Sequence, residues 1–281
     1  MPEPVLVPST GGVTVTLHDL GGDGPDVLLC HPTGFHALMW GPVAEELQGV
    51  AHCWAPDLRG HGDTPPPPDG DMDWRGARDD VLAVSDHLGV RGGLAVGHSM
   101  GGAALLMAEQ LRPGTFARLW VYEPIVFPRP EGGGDRVSNP LAESARRRRA
   151  RFPSRDTAYA NYAAKPPLSG LDPAVLRAYV DHGFRDVPDD QAVELKCLPA
   201  VEAATFEAGG GAGAFEGLGG VEAEVVVAAG GDGAPPAQMA SLVVRALPHA
   251  RLERHDALTH FGPMEDPPAI AAAIRTALGL G

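Results

Sequence analysis

The chain has 281 residues, a formal charge of −14, 44% hydrophobic and 21% charged residues. That length suits one large α/β domain, or a core with a modest insertion, and can bury enough surface to need no disulfide or metal staple. The acidic balance speaks against nucleic acid and against anionic membrane surfaces as partners.

Three widely spaced cysteines, Cys30, Cys53 and Cys197, form no CxxC pair. They read as reduced, partly buried thiols in a cytoplasmic protein. Met1-Pro2-Glu3-Pro4 shows no basic region followed by an apolar core, so no signal peptide is expected. No apolar stretch approaches the roughly 18 residues that span a bilayer.

In chain order, the apolar runs near Val5–Val7 and Val13–Leu17 flank Gly11-Gly12 and predict a β-hairpin. Val27–Cys30 is continuously apolar, the pattern of a strand buried on both faces. A helix near Leu38–Leu47, a strand at Ala51–Pro56, a proline loop at Pro65–Pro68 and a helix over Trp74–Leu88 follow. The strand Gly93–Val96 then runs into Gly97-His98-Ser99-Met100-Gly101-Gly102 and a helix, and Leu119–Tyr122 is the next strand.

Strand and helix stop alternating over residues 124–220. That segment holds helical patterns near Leu141–Arg151, Thr157–Ala164, Pro173–Val180 and Val193–Glu207 and no convincing parallel strand, and it closes on the glycine-rich tract Gly209–Gly220. Within it the basic run Arg146–Arg149 reads as the solvated side of a helix. Alternation resumes with the strand Val225–Ala228, a helix near Pro236–Ala246, a strand near Arg251–His255 and a helix near Pro268–Leu278. The expected fold class is α/β, a doubly wound, mostly parallel sheet. Residues 1–123 and 221–281 would form its core, and 124–220 a helical cap inserted after the sixth strand.

Gly97-His98-Ser99-Met100-Gly101 fits the G-x-S-x-G nucleophile elbow. A serine on a tight strand-to-helix turn needs glycine two residues to either side, because larger side chains there would collide with the neighbouring backbone. A serine hydroxyl also needs a base, and histidine has a suitable pKa. Among 11 histidines, His260 in Leu258-Thr259-His260-Phe261-Gly262 lies just past the last strand. His255 sits inside that strand and His249 precedes it, so His260 is the candidate base.

An acid should orient the imidazole. Asp232, in Ala229-Gly230-Gly231-Asp232-Gly233, stands at the end of the Val225–Ala228 strand and is the favoured candidate. Glu123, which ends the preceding strand in Tyr122-Glu123-Pro124, is its rival. The Met100 amide would supply one oxyanion donor and the loop Cys30-His31-Pro32-Thr33-Gly34-Phe35 the second. Pro32 has no N–H, which leaves Thr33. The Asp57–Gly62 turn reads as a structural rim. Phe35, His36, Trp40, Met100, Phe127 and Phe261 are candidates for a mainly apolar pocket, or for core.

Together these residues resemble the α/β-hydrolase superfamily over nearly the whole chain. The resemblance implies an eight-stranded α/β-hydrolase fold and the triad order nucleophile, acid, histidine. The run from His31-Pro32-Thr33-Gly34-Phe35 to His36 is similar to bacterial capped hydrolases whose loop reads His-Ala-Thr-Gly-Phe-His. Gly183-Phe184-Arg185 and Leu195-Lys196-Cys197 also look like that group's cap. Pro32 and Ala229 depart from the superfamily's usual glycines. Serine at position 99, where haloalkane dehalogenases and epoxide hydrolases carry aspartate, argues against those chemistries.

The reading that follows is a serine esterase that cleaves a carboxylic ester through an acyl-enzyme and needs no metal or organic cofactor. Its expected partner is a small-molecule substrate, an apolar ester, and the chain would be a monomer or homodimer. Lactone, amide and carbon–carbon bond hydrolysis use the same parts and stay open. A non-catalytic ligand-binding protein of the same fold is the alternative from another class, and an intact triad weighs against it.

Overall fold

In the computed structural model, residues 2–128, 139–187, 190–209, 213–231 and 233–281 are described. Strands β1 (Val5–Pro8) and β2 (Thr14–Gly21) form the expected antiparallel hairpin, with Val5 opposite Leu17. After β3 (Asp26–Cys30) come a 3-10 turn (Ala37–Trp40), helix α1 (Gly41–Leu47), β4 (His52–Asp57), α2 (Trp74–His87) and β5 (Gly93–His98). Helix α3 (Met100–Leu111) and β6 (Phe116–Tyr122) complete the first part of the core.

The central strands are apolar throughout because both of their faces are covered. Val27 and Leu29 of β3 join the core cluster on one side of the sheet, while Leu28 and Cys30 join the cluster on the other. Strand β6 divides in the same way, Trp120 and Tyr122 against Leu119 and Val121.

Between β6 and the next strand of the main sheet, the inserted segment carries α4 (Pro140–Arg146), β7 (Arg151–Phe152), α5 (Arg155–Ala163), α6 (Pro173–Gly183), β8 (Phe184–Val187), β9 (Ala192–Leu195) and α7 (Pro199–Ala208). It is not all helical. The short strands pair antiparallel in the order β7-β9-β8, so the helical pattern over Val193–Glu207 divides into strand β9 and helix α7.

The core resumes with β10 (Glu224–Gly230), α8 (Pro235–Ala246), β11 (Ala250–His255), α9 (Gly262–Glu265) and α10 (Pro267–Leu278). The main sheet has eight strands in the order β1-β2-β4-β3-β5-β6-β10-β11, antiparallel where β2 meets β1 and β4 and parallel from there on. The chain winds from β3 outward to β4, then returns to the other side of β3 for β5. That reversal makes the carboxyl ends of β3 and β5 a topological switch point, the usual place for a site in an open α/β sheet.

Candidate active site

Ser99 stands at this switch point, between β5 and α3, with φ 53° and ψ −113°. Such a backbone is costly for a residue with a Cβ and persists only where the surroundings impose it. Here they do. The Ser99 N–H donates to the Tyr122 carbonyl at 3.0 Å, and its own carbonyl accepts from Ala103 at 3.0 Å as α3 begins. A Cβ on Gly97 would lie 2.6 Å from the Gly102 nitrogen, and one on Gly101 only 2.3 Å from the Cys30 carbonyl oxygen. Glycine at both positions lets α3 start directly against the end of β3, as the elbow requires.

The ring of His260 packs 4.9 Å from that of His98, the chain neighbour of Ser99. Its Nδ1 lies 2.6 Å from Oε2 of Glu123, which is fully buried. The other carboxylate oxygen, Oε1, accepts from the Gly230 N–H at 2.8 Å. Glu123 leaves β6 with φ 43°, and this left-handed turn carries its side chain across the end of β10 to the histidine loop. Among the described residues, the carboxylate on the Nδ1 side of the ring is Glu123, the rival that the sequence ranked second. Asp232, ranked first, lies outside the described residues.

Neighbours hold the histidine loop from both ends. Tyr122 Oη donates to the Thr259 carbonyl at 2.7 Å, while the Thr259 N–H donates to Glu265 Oε2 at 2.8 Å and the Thr259 hydroxyl donates to Oε1. A Cβ on Gly262 would lie 2.3 Å from Tyr122 Oη, so the loop can settle on the phenol only with glycine there.

The loop after β3 supplies the facing wall. Thr33 Oγ1 sits 3.4 Å from Met100 Sδ, placing the two candidate oxyanion residues side by side. Neither the Thr33 nor the Met100 N–H has a hydrogen-bond acceptor among the described residues. Pro32 does not disorder this loop, because its carbonyl takes the Phe35 N–H at 3.3 Å in a turn and the His31 Nδ1–H at 2.9 Å. His31 Nε2 in turn accepts from the Leu58 N–H at 3.0 Å. That pattern fixes one neutral tautomer, and burial holds the ring's pKa down to about 3. His31 is a structural brace and not a second base.

The Asp57–Gly62 turn is a scaffold, as expected. Asp57 Oδ1 accepts from the Ala37 N–H at 2.7 Å, and Oδ2 accepts from the Asp63 N–H at 2.8 Å and faces His18 Nε2 at 3.1 Å. Burial opposes its ionisation, but the hydrogen bond from His18 and the charge of the surrounding imidazoles outweigh it and hold its carboxyl below the ordinary range.

The proposed pocket residues divide. Phe35 and Phe261 come together, ring centres 6.1 Å apart, with Tyr179 of α6 at 5.0 Å from Phe35. Phe127 is half-buried at the start of the inserted segment. Trp40 is fully buried and, like Phe35 and Tyr179, belongs to the core cluster on one side of the sheet. His36 is a seam residue. It is buried, its Nε2 donates to the Tyr179 carbonyl at 3.2 Å, and burial lowers its pKa to about 4. Buried Met100 belongs to the core cluster around α3, where its side chain receives the Thr33 hydroxyl.

One cation escaped the sequence reading. Of the Arg146–Arg149 run, Arg148 turns inward past the end of α4. Its Nη1 donates to Glu202 Oε2 at 2.5 Å and its Nη2 to Tyr179 Oη at 2.5 Å. Its neighbours face outward, Arg146 against Glu207 on the surface and Arg149 over the Phe152 ring. The signal that could have found it is the helix end itself. A run that outlasts its helix no longer presents one face.

Residues 27–273 match the Alpha/beta hydrolase family, and the chain belongs to it. The probable protein phosphatase methylesterase 1 of Caenorhabditis elegans is 38% identical over 88 residues, which is 30% of this chain and 24% of that protein. The chain thus matches about a quarter of that relative's length. Among solved structures, the esterase RhEst1 from Rhodococcus sp. is similar at 23% identity with TM-score 0.75, covering 100% of both chains. The enol-lactonase from Burkholderia xenovorans is similar at 21% identity with TM-score 0.70, covering 97% of this chain and 100% of its own. At these identities the structures share the fold. Among the described residues, no helix is long and apolar enough to cross a membrane.

Proposed function

We propose that the chain is a serine esterase in which Ser99 is the nucleophile, His260 the base and Glu123 the acid. The observation that carries this reading is the strained Ser99 turn set beside a histidine whose Nδ1 is held at 2.6 Å by a buried carboxylate. That partner orients the ring and supports its cationic form, and it leaves Nε2 as the nitrogen that exchanges protons with Ser99.

Ser99 Oγ attacks the acyl carbon and its proton passes to His260. The Thr33 and Met100 amides hold the negative oxygen of the tetrahedral adduct. His260 returns the proton to the leaving alkoxide, and the acyl group stays on Ser99. Water then attacks the acyl-enzyme, gives a proton to His260 and releases the acid with Ser99 restored. The inserted segment acts as a cap over this chemistry. Phe35, Phe261 and Tyr179 form an aromatic wall suited to the apolar part of an ester. The methylesterase match and the esterase neighbour support an ester, and the lactonase neighbour keeps cyclic esters within the class.

A fluorophosphonate probe should label Ser99, and p-nitrophenyl acetate should be hydrolysed with a burst of nitrophenolate. Ser99→Ala should abolish both in a folded protein, since loss of a triad nucleophile costs several orders of magnitude in turnover. Retention of more than about a tenth of the turnover would remove Ser99 from its role.

A further inference from the structure

The oxyanion loop is anchored by two different parts of the chain. At its roots, His31 accepts the Leu58 N–H and the Ala37 N–H reaches Asp57, so the core holds both ends. Its tip is held by the inserted segment. Gly34 has φ 81°, and a Cβ there would lie 2.6 Å from Oε1 of Glu202 on α7. Phe35 packs on the Tyr179 ring, and His36 bonds the Tyr179 carbonyl. Tyr179 Oη lies 3.4 Å from the Gly34 carbonyl oxygen.

Arg148 ties these pieces together. Its guanidinium bridges Glu202 and Tyr179, and Tyr162 Oη lies 3.4 Å from Nη2. The Arg148 side chain is 20% exposed and that of Glu202 only 7%. An ion pair this sheltered is costly to break from one side, since the remaining charge is left buried and unpaired. It therefore holds one geometry. The residue directly before Gly34 is Thr33, whose amide is the oxyanion donor in the proposed mechanism.

We infer that Arg148, Glu202 and Tyr179 form a latch, carried by the cap, that positions the Thr33 amide for catalysis. This inference rests on the esterase reading and goes beyond it, because it makes the cap part of the rate and not only of substrate choice. The three residues are positioning residues. An amide displaced from the oxyanion costs rate while ground-state binding is kept, because the donor is used mainly in the transition state.

The test uses p-nitrophenyl acetate, a small ester, with active sites counted from the nitrophenolate burst. Glu202→Gln keeps the shape and removes the charge, and Tyr179→Phe keeps the ring and removes the hydroxyl, so a folding failure in one leaves the other to read. Arg146→Met, which disrupts only a surface pair, serves as the control. We expect Glu202→Gln to lower kcat per titrated site by about tenfold to hundredfold and Tyr179→Phe by a smaller factor, with KM within about threefold. The inhibition constant of ethylboronic acid, whose Ser99 adduct places an oxygen in the oxyanion position, should rise in parallel with the loss in kcat. A purely structural latch would lower Tm and the titrated fraction, leaving both quantities per site at wild-type values. That result would overturn the inference. If wild-type protein gives neither a burst nor fluorophosphonate labelling, the esterase reading itself fails and the latch falls with it.

Discussion

In the proposed mechanism, Glu123 is the residue on which the chemistry turns. Its carboxylate is fully buried and divided between two jobs, with Oε2 on His260 Nδ1 and Oε1 on the Gly230 N–H. Replacing it with Gln keeps the size but puts an amide where an acceptor for the imidazole proton is needed. In a well-studied triad the equivalent carboxylate-to-amide change costs roughly ten-thousand-fold in turnover. We expect Glu123→Gln to lose on the order of a thousandfold or more in kcat, and Asp232→Asn to stay within about tenfold. Kinetics on both variants, with folding checked by circular dichroism, read this ranking directly. The reverse ranking would assign the acid to Asp232 and leave Glu123 as a brace for the β10 loop.

At the level of elements, α3 leaves the β5 turn packed closely against the end of β3. Helix α3 begins against the end of β3, with Gly101 facing the Cys30 and His31 carbonyls. A methyl group at 2.3 Å from backbone oxygen has nothing flexible to displace. Gly101→Ala should therefore push the start of α3, with the Met100 amide, away from the Thr33 loop. The expected result is a loss of at least about tenfold in kcat, together with a stability loss of about 1–3 kcal/mol typical of overpacking. Steady-state kinetics and urea denaturation would check both parts. A variant with wild-type kcat would show that the elbow can relax without moving its donor.

Across the whole molecule, the buried histidines tie stability to pH. His31 is held down to about 3 and His36 to about 4, while burial also lowers His61 and His98. Each of these pKa values is below the unfolded value of about 6.5, so the unfolded chain binds protons that the folded chain refuses. Their contribution is complete above about pH 6.5 and is lost as pH falls toward 4. Each such histidine contributes a slope of up to about 1.4 kcal/mol per pH unit in that window. Urea midpoints should therefore fall steeply between pH 7.5 and 5. Equal midpoints would mean that these rings take up protons inside the fold.

The features that local sterics and periodicity dictate were legible in the chain. The elbow is one, since its demand for glycine is met within five residues, Gly97 to Gly101. The buried strands are another, because a strand covered on both faces must be apolar at every position. The place of His260, in the loop after β11, was legible through chain order. The choice between Glu123 and Asp232 was not. Strands β6 and β10 are paired neighbours, Tyr122 opposite Ala228, so chain position past a strand end does not separate the two candidates. The left-handed turn at Glu123 sends its side chain to His260, and spacing carries no trace of that conformation. The strands of the inserted segment were hidden for another reason: β7 has two residues and β8 and β9 four each, too short to show a period. Arg148 differs from its neighbours in the run by where α4 ends and by which side chains wait beneath it, a buried carboxylate and two tyrosines. Those partners lie between 14 and 54 residues away along the chain, and only the tertiary packing brings them under one guanidinium.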